Sequence, residues 1–211
     1  MGALLEFITV AGDTLKLNKS QEVKFDNDVI IAVDEGVLFV KHYYNNGESR
    51  IINVLKSGSV QYIESSYMSI KAKSKMRMKI INKDFFNRNA GVESKKDLRQ
   101  LITILYSRMN MTIRDTSFQE KSLNLIACLV KLANTFGLEK ENGILIDLDL
   151  THKELAELSM LTRETVSRNM KKLYADKLLI YKSKKIFILN LECLRSKLKC
   201  ENCPSIYCAY G

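Results

Sequence analysis

The chain has 211 residues, 46% of them hydrophobic and 27% charged, so it can hold two modest domains, each with a core of its own. No apolar run approaches the length of a membrane span, and Met1 to Glu6 lacks the basic start and long apolar stretch of a secretory signal, which excludes a membrane-spanning helix and leaves the cytoplasm as the expected compartment. The formal charge of +9 points to a polyanionic partner, and five cysteines, an odd number, argue against a disulfide framework.

From Gly12 to about Ile81 short β-rich runs alternate with turns. Val29–Val33, Val37–Tyr44 and Ser49–Leu55 read as strands linked by Asp34-Glu35-Gly36 and Asn45-Asn46-Gly47, and Ser66–Ala72 and Arg77–Ile81 continue the pattern. Strands of this length and spacing predict a small antiparallel barrel or jelly roll. Between them, Gly58 to Tyr67 reads as a loop that runs almost directly into the next strand, with Glu64 as a solvated loop residue. Only His42 and His152 are present, and there is no Gly-x-Ser-x-Gly, Walker or dinucleotide signature. The chain is therefore not expected to be an enzyme, and both histidines read as structural or surface residues.

After Gly91 the pattern turns helical. Leu98, Ile102, Leu105 and Met109 follow a 4-3-4 spacing flanked by Leu101 and Ile113, which is the seam of a coiled coil or a face packed on the chain's own sheet. The pattern pauses at Arg114-Asp115-Thr116-Ser117 and resumes from Phe118 to Phe136, with Leu123, Ile126, Leu129, Val130 and Leu132 as the buried stripe, Thr116 or Ser117 as cap, and Gly137 as the end. Cys128 falls among these apolar residues and reads as core. An Asn142-Gly143 turn and a strand lead on to residue 150.

Thr151-His152-Lys153-Glu154 is a capping box ahead of Leu155, Ala156, Leu158 and Met160, so a short helix precedes a turn at Leu161-Thr162. Thr162 then caps a helix in which Val166, Met170 and Leu173 share one face, while Arg163, Glu164, Ser167 and Arg168 project from the other. Two helices with a tight turn make a helix-turn-helix. A guanidinium can donate twice to guanine, a carboxylate can accept from cytosine N4, and a short hydroxyl fits beside a base or methyl group. Lys171 and Lys172 continue toward where phosphates would lie. Two β-rich runs, Lys177–Tyr181 and Lys185–Leu189, flank Lys182-Ser183-Lys184 as a hairpin with a basic tip, completing a winged helix. Residues 151–200 hold twelve Lys and Arg against five Asp and Glu, so most of the positive excess sits in this half.

Three cysteines crowd the last twelve residues as Cys200-x₂-Cys203-x₄-Cys208. Thiolates at such spacings suit an iron–sulfur cluster or zinc. Cys193, in Leu191–Arg195, is a further candidate ligand or a packing residue.

The overlaid patterns Arg163-Glu164-Thr165-Val166-x-Arg168 and Glu164-Thr165-x-Ser167-Arg168, ahead of the basic hairpin, resemble the recognition helix of the bacterial CRP/FNR family of transcription regulators. The run from Val29 to Gly58, with turns at Gly36, Gly47 and Gly58, looks like that family's β-roll. The resemblance implies an α+β chain with an N-terminal β-roll like a cyclic-nucleotide-binding domain, a long dimerisation helix and a C-terminal winged helix-turn-helix. The corresponding domains are 1–91, 92–115, 116–198 and a cysteine-rich tail, 199–211. It implies a homodimer on double-stranded DNA with two-fold symmetric half-sites resembling TGTGA or TTGAT, and RNA polymerase as a partner. The Gly-Glu and later Arg-Ser/Thr-Ala of the cyclic-nucleotide cassette are missing, so no cyclic nucleotide is expected. The FNR type found in Bacillus carries a cysteine trio of this spacing and a [4Fe-4S] cluster, with an aspartate near the end of the dimer helix as fourth ligand. Asp115 stands at the equivalent place here, where it could instead cap the next helix. The resemblance thus implies a regulator gated by a [4Fe-4S] cluster sensing oxygen or nitric oxide. The alternative is a structural zinc or inert tail, with a small-molecule effector in the roll.

Overall fold

The computed structural model describes residues 2–118, 120–200, 203–204 and 206–211; the linker residues Glu201, Asn202 and Ser205 of the cysteine motif lie outside them. The chain forms two compact units, residues 1–105 with 211, and residues 106–210.

In the first unit, α1 (Gly2–Ala11) precedes eight strands: β1 (Asp13–Leu17), β2 (Glu22–Lys24), β3 (Val29–Glu35), β4 (Val37–Tyr43), β5 (Ser49–Lys56), β6 (Val60–Ile63), β7 (Met68–Ala72) and β8 (Met76–Asn82). Then come α2 (Lys83–Asn89) and α3 (Val92–Thr116), whose last turns belong to the second unit. The strands form two antiparallel four-stranded sheets, β1-β8-β3-β6 and β2-β7-β4-β5. Between them lies an apolar cluster that includes Val29, Ile31, Val33, Leu38, Val40, Leu55, Ile63, Ile70 and Met78.

Strand β3 is buried on both faces. Val29, Ile31 and Val33 point into the roll, while Ile30 and Ala32 join Leu4 and Ile8 of α1, Phe86 of α2 and Leu101 of α3 in a second cluster. That is why Val29–Val33 is an unbroken apolar run rather than an alternating one. Phe7 meets Phe86 edge to face at 5.5 Å, and Asp97 Oδ2 accepts from the Leu4 amide at 3.1 Å. Gly36, between β3 and β4, has φ +90°, and a Cβ there would lie 2.5 Å from the Lys75 carbonyl oxygen, so the turn takes no other residue without strain.

The stretch read as a loop after Gly58 contains β6. Val60 and Ile63 supply its buried anchors, and β6 pairs with β3 along Val29 to Ala32. Glu64 is half-buried and accepts a hydrogen bond from the Tyr67 hydroxyl across the turn into β7, so it is held rather than freely solvated. Asp28 fastens the same corner, accepting from the Ser65 amide at 3.0 Å, the Tyr62 hydroxyl at 2.5 Å and Lys83 Nζ at 3.1 Å.

The second unit is built around α4 (Lys121–Phe136), followed by β9 (Gly137–Lys140), β10 (Gly143–Ile146), α5 (His152–Ser159), α6 (Arg163–Ala175), β11 (Leu179–Lys182), β12 (Lys185–Ile188) and α7 (Leu191–Lys197). Its sheet runs β11-β12-β10-β9. Helix α4 departs from the predicted stripe: nearly every side chain from Asn124 to Ala133 is buried and Leu123 is only partly so, because α5, α6, α7, β9 and β10 pack around it. Its start differs too. Glu120 holds the N-cap position, because the Thr116 and Ser117 hydroxyls donate back to the Thr112 and Ile113 carbonyls and so finish α3. Asp115 lies inside α3 and caps nothing downstream.

Candidate functional site

The helix-turn-helix is assembled from local chemistry. Thr151 Oγ1 accepts from the Glu154 amide at 3.2 Å while Glu154 Oε2 accepts from the Thr151 amide at 2.8 Å, closing the capping box that starts α5. Met160 ends α5 in the left-handed region at φ 55°, and Thr162 Oγ1 accepts from the Thr165 amide at 3.2 Å to start α6. Val166, Met170 and Leu173 are buried under α6.

The opposite face is bare. Thr162, Arg163, Glu164, Arg168, Lys171 and Lys172 are exposed and Ser167 partly so, and Arg163, Glu164, Ser167, Arg168 and Lys171 line a shallow concavity of about 500 Å³. Beside it, Ser183 and Lys184 both have positive φ, 51° and 65°, the pair of values that a tight two-residue hairpin needs, and they put exposed Lys182 and Lys184 at the wing tip. His152, the first residue of α5, stacks on Tyr181 of β11 at 4.8 Å, and burial, with Arg163 nearby, holds its pKa below the ordinary value. His42 stacks between Tyr44 and Tyr67 at 4.9 and 4.8 Å.

Along α3 the four seam residues divide. Leu98 and Leu105 lean on the cluster beneath α1 and β3, whereas Ile102 and Met109 are exposed. Tyr106 and Ile113 are exposed as well, so the bare apolar stripe is 102-106-109-113, which keeps the 4-3-4 spacing in a neighbouring register.

The cysteine tail lies on α4 and the end of α3. Asn134 Nδ2 donates to the Cys208 carbonyl at 2.7 Å, the Tyr210 amide donates to Thr135 Oγ1 at 2.8 Å, and Arg108 Nε donates to the Ile206 carbonyl at 2.9 Å. The Tyr210 hydroxyl reaches Cys128 Sγ at 3.5 Å, and burial pushes the Cys128 thiol up to about 11, so Cys128 is an inert core thiol. Arg114 Nη1 donates to Cys203 Sγ at 3.7 Å, while Asp115 accepts from Arg114 at 3.1 Å and pairs with Lys131 at 2.7 Å. Burial raises the thiols of Cys200 and Cys208, and each thiol lies within electrostatic reach of Asp115 and of Cys203. Cys193 sits in the first turn of α7, its amide donating to Asn190 at 2.8 Å.

Three thiols and a carboxylate are the donor chemistry of a thiolate-rich metal centre. As they stand they do not close one: among the described residues no three His, Cys, Asp or Glu side chains are grouped to hold a metal ion. Lys131 and Arg114, the cations beside Asp115, are absent from the sequence-derived ligand set. The available signal was a lone lysine in the otherwise apolar run Leu129-Val130-Lys131-Leu132-Ala133.

A β-roll joined through a long helix to a winged helix-turn-helix defines a class of protein, and the comparisons agree. Residues 125–197 match the Crp-like helix-turn-helix domain. The chain is 34% identical over 102 residues to the "Anaerobic regulatory protein" of Bacillus subtilis, a match covering 48% of this chain and 43% of that protein. It is 26% identical over 168 residues to the "Global nitrogen regulator" of Synechococcus elongatus, covering 74% and 75%. The fold is that of FixK2 from Bradyrhizobium japonicum, with a TM-score of 0.74, 15% identity and coverage of 88% and 96%. Residues 125–197 thus carry a Crp-like helix-turn-helix domain.

Proposed function

We propose that this chain is a sequence-specific, double-stranded-DNA-binding transcription regulator that works in the cytoplasm as a homodimer, with RNA polymerase as a partner. The observation that carries the reading is the exposed face of α6, where Arg163, Glu164, Ser167, Arg168 and Lys171 line one concavity above a buried Val166, Met170 and Leu173. Arg163 and Arg168 favour guanines, Glu164 a cytosine, and Thr162, Lys171, Lys172 and the wing lysines position the phosphates. The bare stripe Ile102, Tyr106, Met109 and Ile113 supports a second copy as the partner of α3, since paired recognition helices read two-fold sites. Titrating a labelled palindromic duplex at several salt concentrations tests this. The expected result is tight binding that weakens steeply with salt, and Arg168→Ala narrows the preference for the palindrome over random duplex.

For control, the reading is a [4Fe-4S] cluster held by Cys200, Cys203, Cys208 and Asp115, sensing oxygen or nitric oxide. When bound, such a cluster supplies an oxidation-sensitive link whose loss weakens the hold of the tail. Support comes from the motif spacing and from the Bacillus relative, which is named an anaerobic regulatory protein. A second reading, a structural zinc or inert tail with a small-molecule effector, is favoured by one observation: the Asp115 carboxylate is already engaged by Lys131 and Arg114.

A further inference from the structure

The joint between α3 and α4 is held by polar groups. From Tyr106 to Phe118 Asp115 is the one buried side chain, 6% exposed, and its neighbours along α3 stay partly or wholly open to water. Lys131, 4% exposed in the middle of α4, meets it with Nζ 2.7 Å from Asp115 Oδ2 and donates to Thr112 Oγ1 at 3.1 Å. Two turns earlier on the same face of α4, Asn124 Nδ2 donates to the Thr116 carbonyl at 3.3 Å. Residues 112, 115 and 116 are three and four apart, so one face of α3 takes the contacts from α4. Arg114 adds a bond to Asp115 Oδ1 at 3.1 Å.

Stability does not require such a pair, because apolar residues of similar volume in place of a buried ion pair are often neutral or better. What the pair adds is direction. Apolar ridges settle at crossing angles that scatter by about 15–20°, whereas charge-assisted hydrogen bonds weaken steeply as length and angle change. A wrong angle leaves the Lys131 ammonium buried without its partner, which is costly. Helix α4 also packs against α5 and α6, so its direction sets theirs. One base-pair step is about 3.4 Å along the duplex, so a small tilt at this joint changes where α6 meets it.

We propose that Asp115 and Lys131 are positioning residues for DNA reading: their buried pair sets the angle at which α4, and with it α6, leaves the end of α3, and so selects the spacing of the two half-sites that a dimer reads. This deepens the homodimer reading above and rests on it; it draws on nothing at the cysteine tail. Both side chains are buried, and neither touches DNA. Base identity stays with Arg163, Glu164, Ser167 and Arg168, while the pair decides how far apart two copies of α6 stand.

The test measures binding of the full-length chain to duplexes with two inverted TGTGA half-sites, the spacer shortened or lengthened one base pair at a time, and to a duplex with a single half-site. TTGAT replaces TGTGA if wild type binds it more tightly. The chains are wild type and the Asp115→Leu/Lys131→Met double variant, whose apolar pair keeps the joint buried. Wild type is expected to favour one spacing over its neighbours by about 10-fold or more, within the usual range of coupling between two sites. The double variant keeps wild-type affinity for the single half-site and still binds paired half-sites more tightly than one, but its preference flattens across the spacings or moves to another length. An unchanged preference overturns the inference. So does an equal loss on the single half-site and on every spacing, the result of a merely structural role, or loss of all advantage of paired over single sites, which would make dimerisation the property affected. If circular dichroism finds the double variant unfolded, Thr112→Val removes one bond to Lys131 Nζ and keeps both charges; a narrower spacing preference supports the role and an unchanged one overturns it. Wild type that binds a single half-site as tightly as any pair overturns the homodimer reading itself, and this inference with it.

Discussion

The β-roll and the second unit differ in whether they bury charge. Between its sheets the roll packs Val29, Ile31, Val33, Leu38, Val40, Leu55, Ile63 and Ile70, and its buried polar side chains, Gln61 and Ser69, are uncharged. The second unit, in contrast, buries Asp115, Lys131, Asn124, Thr135 and the Cys128 thiol around one helix, with the tail cysteines beside them. Apolar filling makes a stable scaffold with little to recognise. Buried charges cost stability unless they are paired and hydrogen-bonded, as Asp115 and Lys131 are.

The sharpest way to break this contrast is to empty the scaffold. Leu38, fully buried, should cost about 2–5 kcal/mol when cut to alanine, seen as a lower urea midpoint, with iron uptake by the folded protein unchanged. If Leu38→Ala changes iron uptake or retention, the roll is part of the sensing machinery. Next in size is the reading face. Arg168→Ala should cost about 1–3 kcal/mol on the specific duplex, whereas Lys171→Ala should weaken all duplexes alike and lower the salt slope by about one. Equal losses on specific and random duplex for Arg168→Ala would make it a phosphate contact. Removing the hydroxyl of Thr151 should destabilise by about 1 kcal/mol through the lost capping box, read from thermal unfolding.

The smallest effect is a pH dependence in the roll. Hydrogen bonds from Tyr62, Ser65 and Lys83 hold the Asp28 carboxyl well below the usual carboxylate range. A depressed folded-state pKa contributes stability that is complete above the unfolded value of roughly 4 and is lost as pH falls toward the folded one. The stability gap between wild type and Asp28→Asn should therefore be constant from pH 7 to about 5 and shrink as acid is added below about 4. A gap that widens in acid contradicts the assignment.

What the sequence disclosed was local chemistry. The Thr151–Glu154 box, the Thr162 cap, the basic hairpin and the turns at Gly36, Gly47 and Gly58 are each encoded within a few residues, and all are present. Strand β6 was hidden because Gln61 and Tyr62 interrupt its apolar pattern; Gln61 is buried through bonds to Asn53 and to the Tyr62 carbonyl. Helix α1 was missed because its apolar residues run on without the polar face that marks an amphipathic helix, although Leu4 and Ile8 anchor it fully. On α3 two heptad registers share Ile102 and Met109, and only the position of the roll's outer cluster, against which Leu98 and Leu105 lie, separates them. The partnership of Asp115 with Lys131 spans two helices and could not be read from either alone.

The claim at the centre of this account is that the cysteine tail and Asp115 hold an iron–sulfur cluster. Protein purified without oxygen, assayed for iron, acid-labile sulfide and zinc beside an absorption spectrum, tests it directly. The account predicts a brown protein with about four irons and four sulfides per chain and a broad band near ~400 nm that is missing in Cys208→Ala. A colourless protein carrying one zinc per chain would contradict it.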